Sequence, residues 1–339
     1  MKLKFIILGL CFSLCLPAVS HAGDPGLRHI ITRGVVRCGT DLSTKTYAYK
    51  DEAKIWRGID ADLCRVFSTA IFGQSDRFQL VDVKAYDVSK ALATGKIDLM
   101  FGDAPATATR DISTQASLVE VAYYDRQMFL AKNRDAESME AYKGENVCTV
   151  TNSEDLFNVQ EYNAKYDLGL KTLLFRDPQK AKESFLLNRC ALLTGNELYL
   201  KSIYKQMADA DMDIVILPEV IALKPVYVQV SRANNTLRIT AKWILNALAL
   251  SEKLGINSKN ADIVIGVNDT STKNLLGIDT TLWKRFMLKP QWVKTVLREL
   301  GNLGEIYEKN LGSQSEYNVE RGKNNLIDNG GLIKWQAFL

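Results

Sequence analysis

The chain has 339 residues, with 43 lysines and arginines set against 39 aspartates and glutamates, two histidines and six cysteines. A formal charge of +4 over that length excludes the dense basic surface that nucleic acid or an anionic membrane requires. The length suggests about two domains, each able to bury its own core.

In chain order, Lys2 and Lys4 precede an apolar run from Phe5 to Leu16, and Ser20-His21-Ala22 places small residues at a cleavage position. Residues 1–22 therefore read as a secretory signal peptide, too short and wrongly flanked for a membrane span. Cys11 and Cys15 follow leucines, not the small residue of a lipoprotein signal, so the expected product is exported, soluble and periplasmic. Cleavage leaves a charge of +2, one histidine (His29, beside the expected flexible new N-terminus) and four cysteines. Cys38, Cys64, Cys148 and Cys190 read as disulfides in an oxidising compartment, with three possible connectivities. Proximity favours Cys38–Cys64 and Cys148–Cys190, one bridge per half; four buried free thiols are the other reading. The cysteines lack the close spacing of a zinc site, and a histidine base is nearly excluded, so neither metal nor cofactor is predicted.

Val35 to Cys38 reads as a buried strand. Leu63, Val66, Phe67, Ala70 and Ile71 then recur at helical spacing, with Asp60 as the expected N-cap and Gly73 as the stop. A strand at Phe78–Val83, a helix at Val88–Thr94 and a strand at Ile97–Phe101 complete one α/β unit covered by helices. The pattern restarts with strands at Met128–Ala131 and Val147–Val150, then a helix from about Glu154 to Lys165. A strand at Thr172–Phe175 leads to Asp177-Pro178, an N-cap with proline at the first helical position, and a helix to Asn188. Strands at Ala191–Thr194 and Ile214–Leu217 flank a helix at Glu197–Met207; after Val226–Val230 the chain turns helical, from Trp243–Leu254 through Trp283–Asn310. Two α/β units without a flexible spacer predict lobes facing a cleft, because ligands of open α/β sheets bind beyond the carboxyl ends of the strands.

The segment DLMFGDAPATATRDIST, residues 98–114, lies at such an end. Arg110 follows a buried strand, where an unpaired guanidinium is costly. It pairs either with Asp103 or Asp111 inside the protein or with an anion from outside. VCTVTNSEDLF and ALLTGNE reach the same cleft from the second unit.

The order of GVVRCGTD, IWRGIDADLCRVFSTAIFG, KIDLMFGDAPATATRD, VCTVTNSEDLFN, NRCALLTGNE and VILPEVIALKP resembles the periplasmic amino-acid-binding proteins of ABC importers. The tail, ELGNLGEIYEKNLG then RGKNNLIDNGGLIKW, resembles their general L-amino-acid-binding branch. The resemblance implies a periplasmic-binding-protein-like α/β fold of two lobes joined by two crossover strands. Lobe one would be residues 23–122 plus 226–339 and lobe two 123–225, with crossings at Tyr123-Tyr124 and Lys224-Pro225. It further implies hinge closure on a ligand. Arg110 would clasp the ligand's α-carboxylate, Tyr47 would cover it with Tyr86 as a second candidate, and Asn152-Ser153 would open a helix whose N–H groups favour the carboxylate.

Within that site the sequence departs from the family pattern. Asn196 stands where the family holds an aspartate for the α-ammonium, Pro105 where it holds a serine or threonine, and Asn152 where it holds a glycine. Glu197 could substitute for the lost acid only through a rearranged turn, and Asp103 is the other compensating acid. The expected function is capture of an amino acid or related small carboxylate for an inner-membrane ABC permease, by a monomer that is not an enzyme. The alternative is a non-transport binding or interaction module with a degenerate cleft. Dehydratase chemistry, known on this fold, would have to use carboxylates such as Asp103, Glu154 and Glu197.

Overall fold

The computed structural model describes residues 26–103, 107–133, 135, 138–208, 212–263, 269–278 and 280–339, without the side chains of Asp103, Thr109 and Ala208. The expected signal peptide and Pro105 lie outside the described residues. The chain enters through α1 (Gly26–Arg33), a helix containing His29 where the sequence suggested a flexible end; Leu27 and Ile30 anchor it in the core. Then follow β1 (Val36–Thr40), a small hairpin of β2 (Tyr49–Lys50) and β3 (Trp56–Arg57), α2 (Ile59–Phe72), β4 (Phe78–Asp82), α3 (Val88–Ala93), β5 (Leu99–Asp103) and α4 (Ala108–Ser113). A 17-residue strand, β6 (Ala116–Lys132), leads into β7 (Asn146–Val150), α5 (Glu154–Tyr166), β8 (Lys171–Phe175), α6 (Pro178–Leu186), β9 (Leu192–Asn196), α7 (Glu197–Ala208) and β10 (Ile214–Ile216). Strand β11 (Ala222–Ser231) returns, and α8 (Asn235–Lys253), α9 (Thr270–Leu276), α10 (Leu282–Arg285), α11 (Trp292–Leu300) and α12 (Leu303–Asn310) finish the helical part.

The strand order is β4-β1-β5-β11-β6-β9-β7-β8, with β10 beside β6. Pairing within β4-β1-β5 and within β9-β7-β8 is parallel, whereas β6 and β11 are antiparallel to each other and to their outer neighbours. These two strands are the only shared members of the described sheet. One end of β11 pairs with β5 from Val226 to Val230, and one end of β6 pairs with β9 from Gln127 to Ala131. The result is two α/β lobes joined by two crossover strands.

Period-two alternation builds a core on both faces of each lobe. In the second lobe Phe129, Val147 and Leu192 meet α5 through Val159 on one side, while Leu130, Cys148 and Leu193 meet α6 and α7 through Phe185 and Leu200 on the other. In the first, Leu99 and Phe101 face α2 and α8, while Met100 faces α3 through Val88 and Leu92. Cys38 in β1 bonds Cys64 in α2, and Cys148 in β7 bonds Cys190, which enters β9; the Cα–Cα distances are 6.1 and 5.7 Å. The favoured connectivity is thus the observed one, and the free-thiol reading is corrected.

The expected N-cap of α2 is also corrected. Gly58 occupies that position and Asp60 lies inside the first turn, 3% exposed, accepting from Thr40 Oγ1 at 2.6 Å. Burial pushes the Asp60 carboxyl up to about 7, against the lowering effect of Thr40 and Tyr123. A carboxyl whose folded pKa exceeds its unfolded one binds more protons when folded, so it destabilises progressively as pH rises from about 4 to 7. Asp60→Asn, which mimics the protonated acid, is therefore expected to raise the melting temperature at pH 8. The gain should vanish below about pH 4, with melts across that range as the check.

Beyond α12 the tail turns back along the molecule. Asn324 accepts from Tyr124 N at 2.6 Å and donates to Tyr124 O at 2.9 Å, and Lys201 of α7 donates to Tyr317 O at 2.8 Å. Arg321 pairs with Glu252 of α8 at 2.6 Å. The tail thus touches the first lobe, a crossover strand and the second lobe.

Candidate functional site

Arg110 rides on α4, whose N-cap Thr107 accepts from Arg110 N at 3.2 Å. Its Nη2 donates to the side-chain oxygen of Gln229 on β11, a residue 2% exposed. Its Nε is buried without a hydrogen-bond partner, and no ion pair joins Arg110 to a carboxylate among the described residues. Burial lowers the guanidinium from its ordinary value, with the nearby charge of Asp111 pulling the other way. Asp111 therefore does not form the internal bridge that was one reading of this arginine; the Asp103 side chain lies outside the described residues. A planar fork with one neutral partner and an orphaned donor suits a carboxylate.

Tyr47 arrives on the loop before β2. Gly58 makes that placement possible: its φ is 100°, and a Cβ there would stand 2.3 Å from Tyr47 O. The phenol donates to Asp125 Oδ2 at 2.8 Å and accepts from Asn196 Nδ2 at 3.0 Å. Asn196 Oδ1 in turn accepts from Lys224 Nζ at 2.9 Å, and Lys224 donates to Asp155 Oδ1 at 2.7 Å. Asp125, Tyr47, Asn196, Lys224 and Asp155 thus form one chain of bonds crossing from the first lobe through both crossover strands to the start of α5. Beside it Thr46 Oγ1 donates to Ser202 Oγ at 3.2 Å, a second direct link between lobes.

The chemistry at position 196 follows from this chain. An asparagine turns a donor to the tyrosine and an acceptor to the lysine; an aspartate would set two acceptors side by side. Asp125, 7% exposed, is pushed up to about 6 by burial, and the Tyr47 bond holds it below where burial alone would place it.

Asn152 and Ser153 precede α5. Asn152 has φ 53°, the left-handed region in which asparagine is the best replacement for glycine, so the substitution keeps the turn. The Ser153 hydroxyl caps α5, accepting from Leu156 N at 3.1 Å and donating to Val150 O at 2.6 Å. Glu197 does not substitute for a missing acid. It is bound by Arg126 at 2.6 and 2.9 Å and by Lys201 at 3.6 Å.

The structure therefore brings Tyr47 and Asn196 into contact, and sets Arg110 against Gln229. Tyr86 stands on a turn before α3, 84% exposed, and touches neither group. Sequence reasoning missed Asp125, Lys224 and Gln229. Their signal was a polar side chain within a mainly apolar stretch: Asp-Arg-Gln in β6, and Lys and Gln within β11. A cavity of about 390 Å³ is lined by Asp125, Arg126, Glu197, Tyr307, Arg321 and Lys323 among others, and Arg110, Tyr47, Asn152, Ser153 and Asn196 do not line it.

The chain is similar to known proteins. A periplasmic binding protein of an ABC transporter from Brucella ovis, solved with glutathione bound, superposes with a TM-score of 0.84 at 26% identity over 92% of this chain and 98% of that one. YhdW of Escherichia coli (strain K12) is 28% identical over 97% of both chains. The general L-amino acid-binding periplasmic protein AapJ of Rhizobium johnstonii is 26% identical over 98% of both. Residues 36–313 match the sequence profile of one family across the crossover strands and both halves of the cleft: the chain belongs to the bacterial extracellular solute-binding proteins, family 3.

Proposed function

We propose that this chain is the periplasmic receptor of an ABC importer, capturing an amino acid or a related small carboxylate, short peptides of the glutathione kind included. The observation that carries this reading is Arg110, a half-buried guanidinium on α4 beyond the end of β5, which among the described residues is held by a neutral amide and by no acid. Burying a cation in that state is costly unless a solute supplies the anion. Tyr47 would cover that solute, and the Asn152-Ser153 turn would offer the N–H groups of α5.

The lobes of this reading are residues 23–122 plus 226–339 and residues 123–225, closing about Tyr123-Tyr124 and Lys224-Pro225. The Tyr47–Asn196 and Thr46–Ser202 bonds are then the latch of the closed form. The chain acts as a monomer without cofactor and without catalysis, and hands its solute to an inner-membrane permease.

A thermal-shift screen of the purified mature chain against L-amino acids, glutathione, other short peptides and dicarboxylates tests the proposal. Ligand at 100 times its Kd adds about 2.7 kcal/mol of stability, which is several degrees of melting temperature for lobes of this size. A screen in which no compound raises the melting point would overturn it.

A further inference from the structure

The helix that carries Arg110 is moored to β11 at two levels. Arg232, directly after that strand, donates to Asp111 O at 2.6 Å and holds the backbone of α4. Gln229, within the strand, holds the side chain, its Oε1 accepting from Arg110 Nη2. Gln229 is 2% exposed and pairs with Met100 of β5, so it shares the α3-facing side of the sheet with an apolar set that includes Val88 and Leu92. Both ends of its amide are used there, because Nε2 donates to Gly102 O at 3.4 Å. Those two partners fix which way the amide points: turned over, it would set an NH2 group against the guanidinium and an oxygen against a carbonyl. The choice of residue is narrow. A glutamate at this position would neutralise the guanidinium and face Gly102 O with a second acceptor, and a methionine would fill the space and hold nothing. Glutamine gives the arginine a fixed direction without compensating its charge.

On the solute-binding reading above, we propose that Gln229 is a positioning residue of the receptor: it aims the Arg110 fork and, being neutral, reserves the positive charge for the carboxylate of the solute. An internal carboxylate would make the stronger, charge-assisted bond and compete with the visiting one.

Titration calorimetry on the mature chain with the proteinogenic L-amino acids, glutathione and succinate tests this, each compound paired with the form in which a carboxylate is replaced by a carboxamide. The parent is expected to bind the carboxylate form about a hundredfold more tightly than the carboxamide, and Gln229→Glu should bring that ratio below about tenfold, because its own carboxylate takes the fork. In Gln229→Met, whose side chain suits the apolar face, the arginine keeps its charge and loses its aim. The carboxylate form should then weaken about three- to tenfold while the ratio stays above about tenfold. A residue that only supports the fold would weaken both forms alike and leave the ratio where it was. That result in Gln229→Glu overturns the inference. So does an affinity within about twofold of the parent in Gln229→Met, which decides alone if the glutamate variant fails to fold. Binding that Arg110→Ala abolishes but neither change at Gln229 alters sinks only this inference and leaves the receptor standing. A parent that binds none of these compounds also sinks it, and if the wider screen is empty too, the receptor falls with it.

Discussion

Arg110→Ala is expected to weaken solute binding by about 10²- to 10⁴-fold while the unliganded protein melts within a few degrees of the parent. A charge-assisted hydrogen bond contributes roughly 1.5–3 kcal/mol, the fork makes two to a carboxylate, and about 1.4 kcal/mol is tenfold in affinity. The folded protein loses far less. Among the described residues Arg110 makes one side-chain bond, to Gln229, and removing it also removes a buried Nε with no partner among them. The net change is on the order of 1 kcal/mol, or roughly 2–4 °C for a protein of this size. Arg110→Lys keeps the charge without the fork and should fall between the two. Titration calorimetry and melting curves on the three proteins separate the roles. A large drop in melting temperature with unchanged affinity would make Arg110 a scaffold residue.

Removing either disulfide should cost more stability than any other pair of substitutions discussed. The bridges close loops with sequence separations of 26 and 42 residues. Loop-closure entropy gives them about 3.5 and about 4 kcal/mol respectively. Cys148→Ala/Cys190→Ala should also impair binding, because the bridge ties β7 to the entry of β9. Those strands deliver Ser153 and Asn196. Cys38→Ala/Cys64→Ala should destabilise the first lobe and leave affinity nearer the parent value. All four sulfurs are buried, so a reductant is expected to act only on unfolded chains. Chemical denaturation with and without dithiothreitol reads both effects, and equal midpoints would refute them.

The fold was legible because each lobe repeats one physical rule. Apolar runs such as Leu99 to Phe101 and Val147 to Val150 are buried strands, and helical periodicities such as Leu63 to Ile71 lie on them. The misreadings fall where local chemistry is outvoted by packing. Asp60 has the residue type of an N-cap, yet Gly58 takes the cap because Tyr47 O needs the space where a Cβ would be. The helix after Asn234 begins well before Trp243 without a side-chain cap, and α1 is a further element that the sequence did not suggest; core contacts hold both. The site divided in the same way. Arg110 stands out as a charge after a buried strand, but the polar positions Lys224 and Asp125 gain their partners only once β6 and β11 lie side by side. Tyr86, a tyrosine like Tyr47, stands exposed on its turn.

The grip of Asn324 on both polar atoms of the Tyr124 backbone has a mechanical consequence for the closing motion proposed above. A strand free along its length would spread a bend over many torsions; one pinned at a single peptide must concentrate the rotation beside the pin. In β6 that pivot falls among Asp125, Arg126 and Gln127, the residues that also hold Tyr47, Glu197 and Thr194. On that reading the carboxy-terminal tail, which brings no group to Arg110 among its described contacts, sets where the jaw turns.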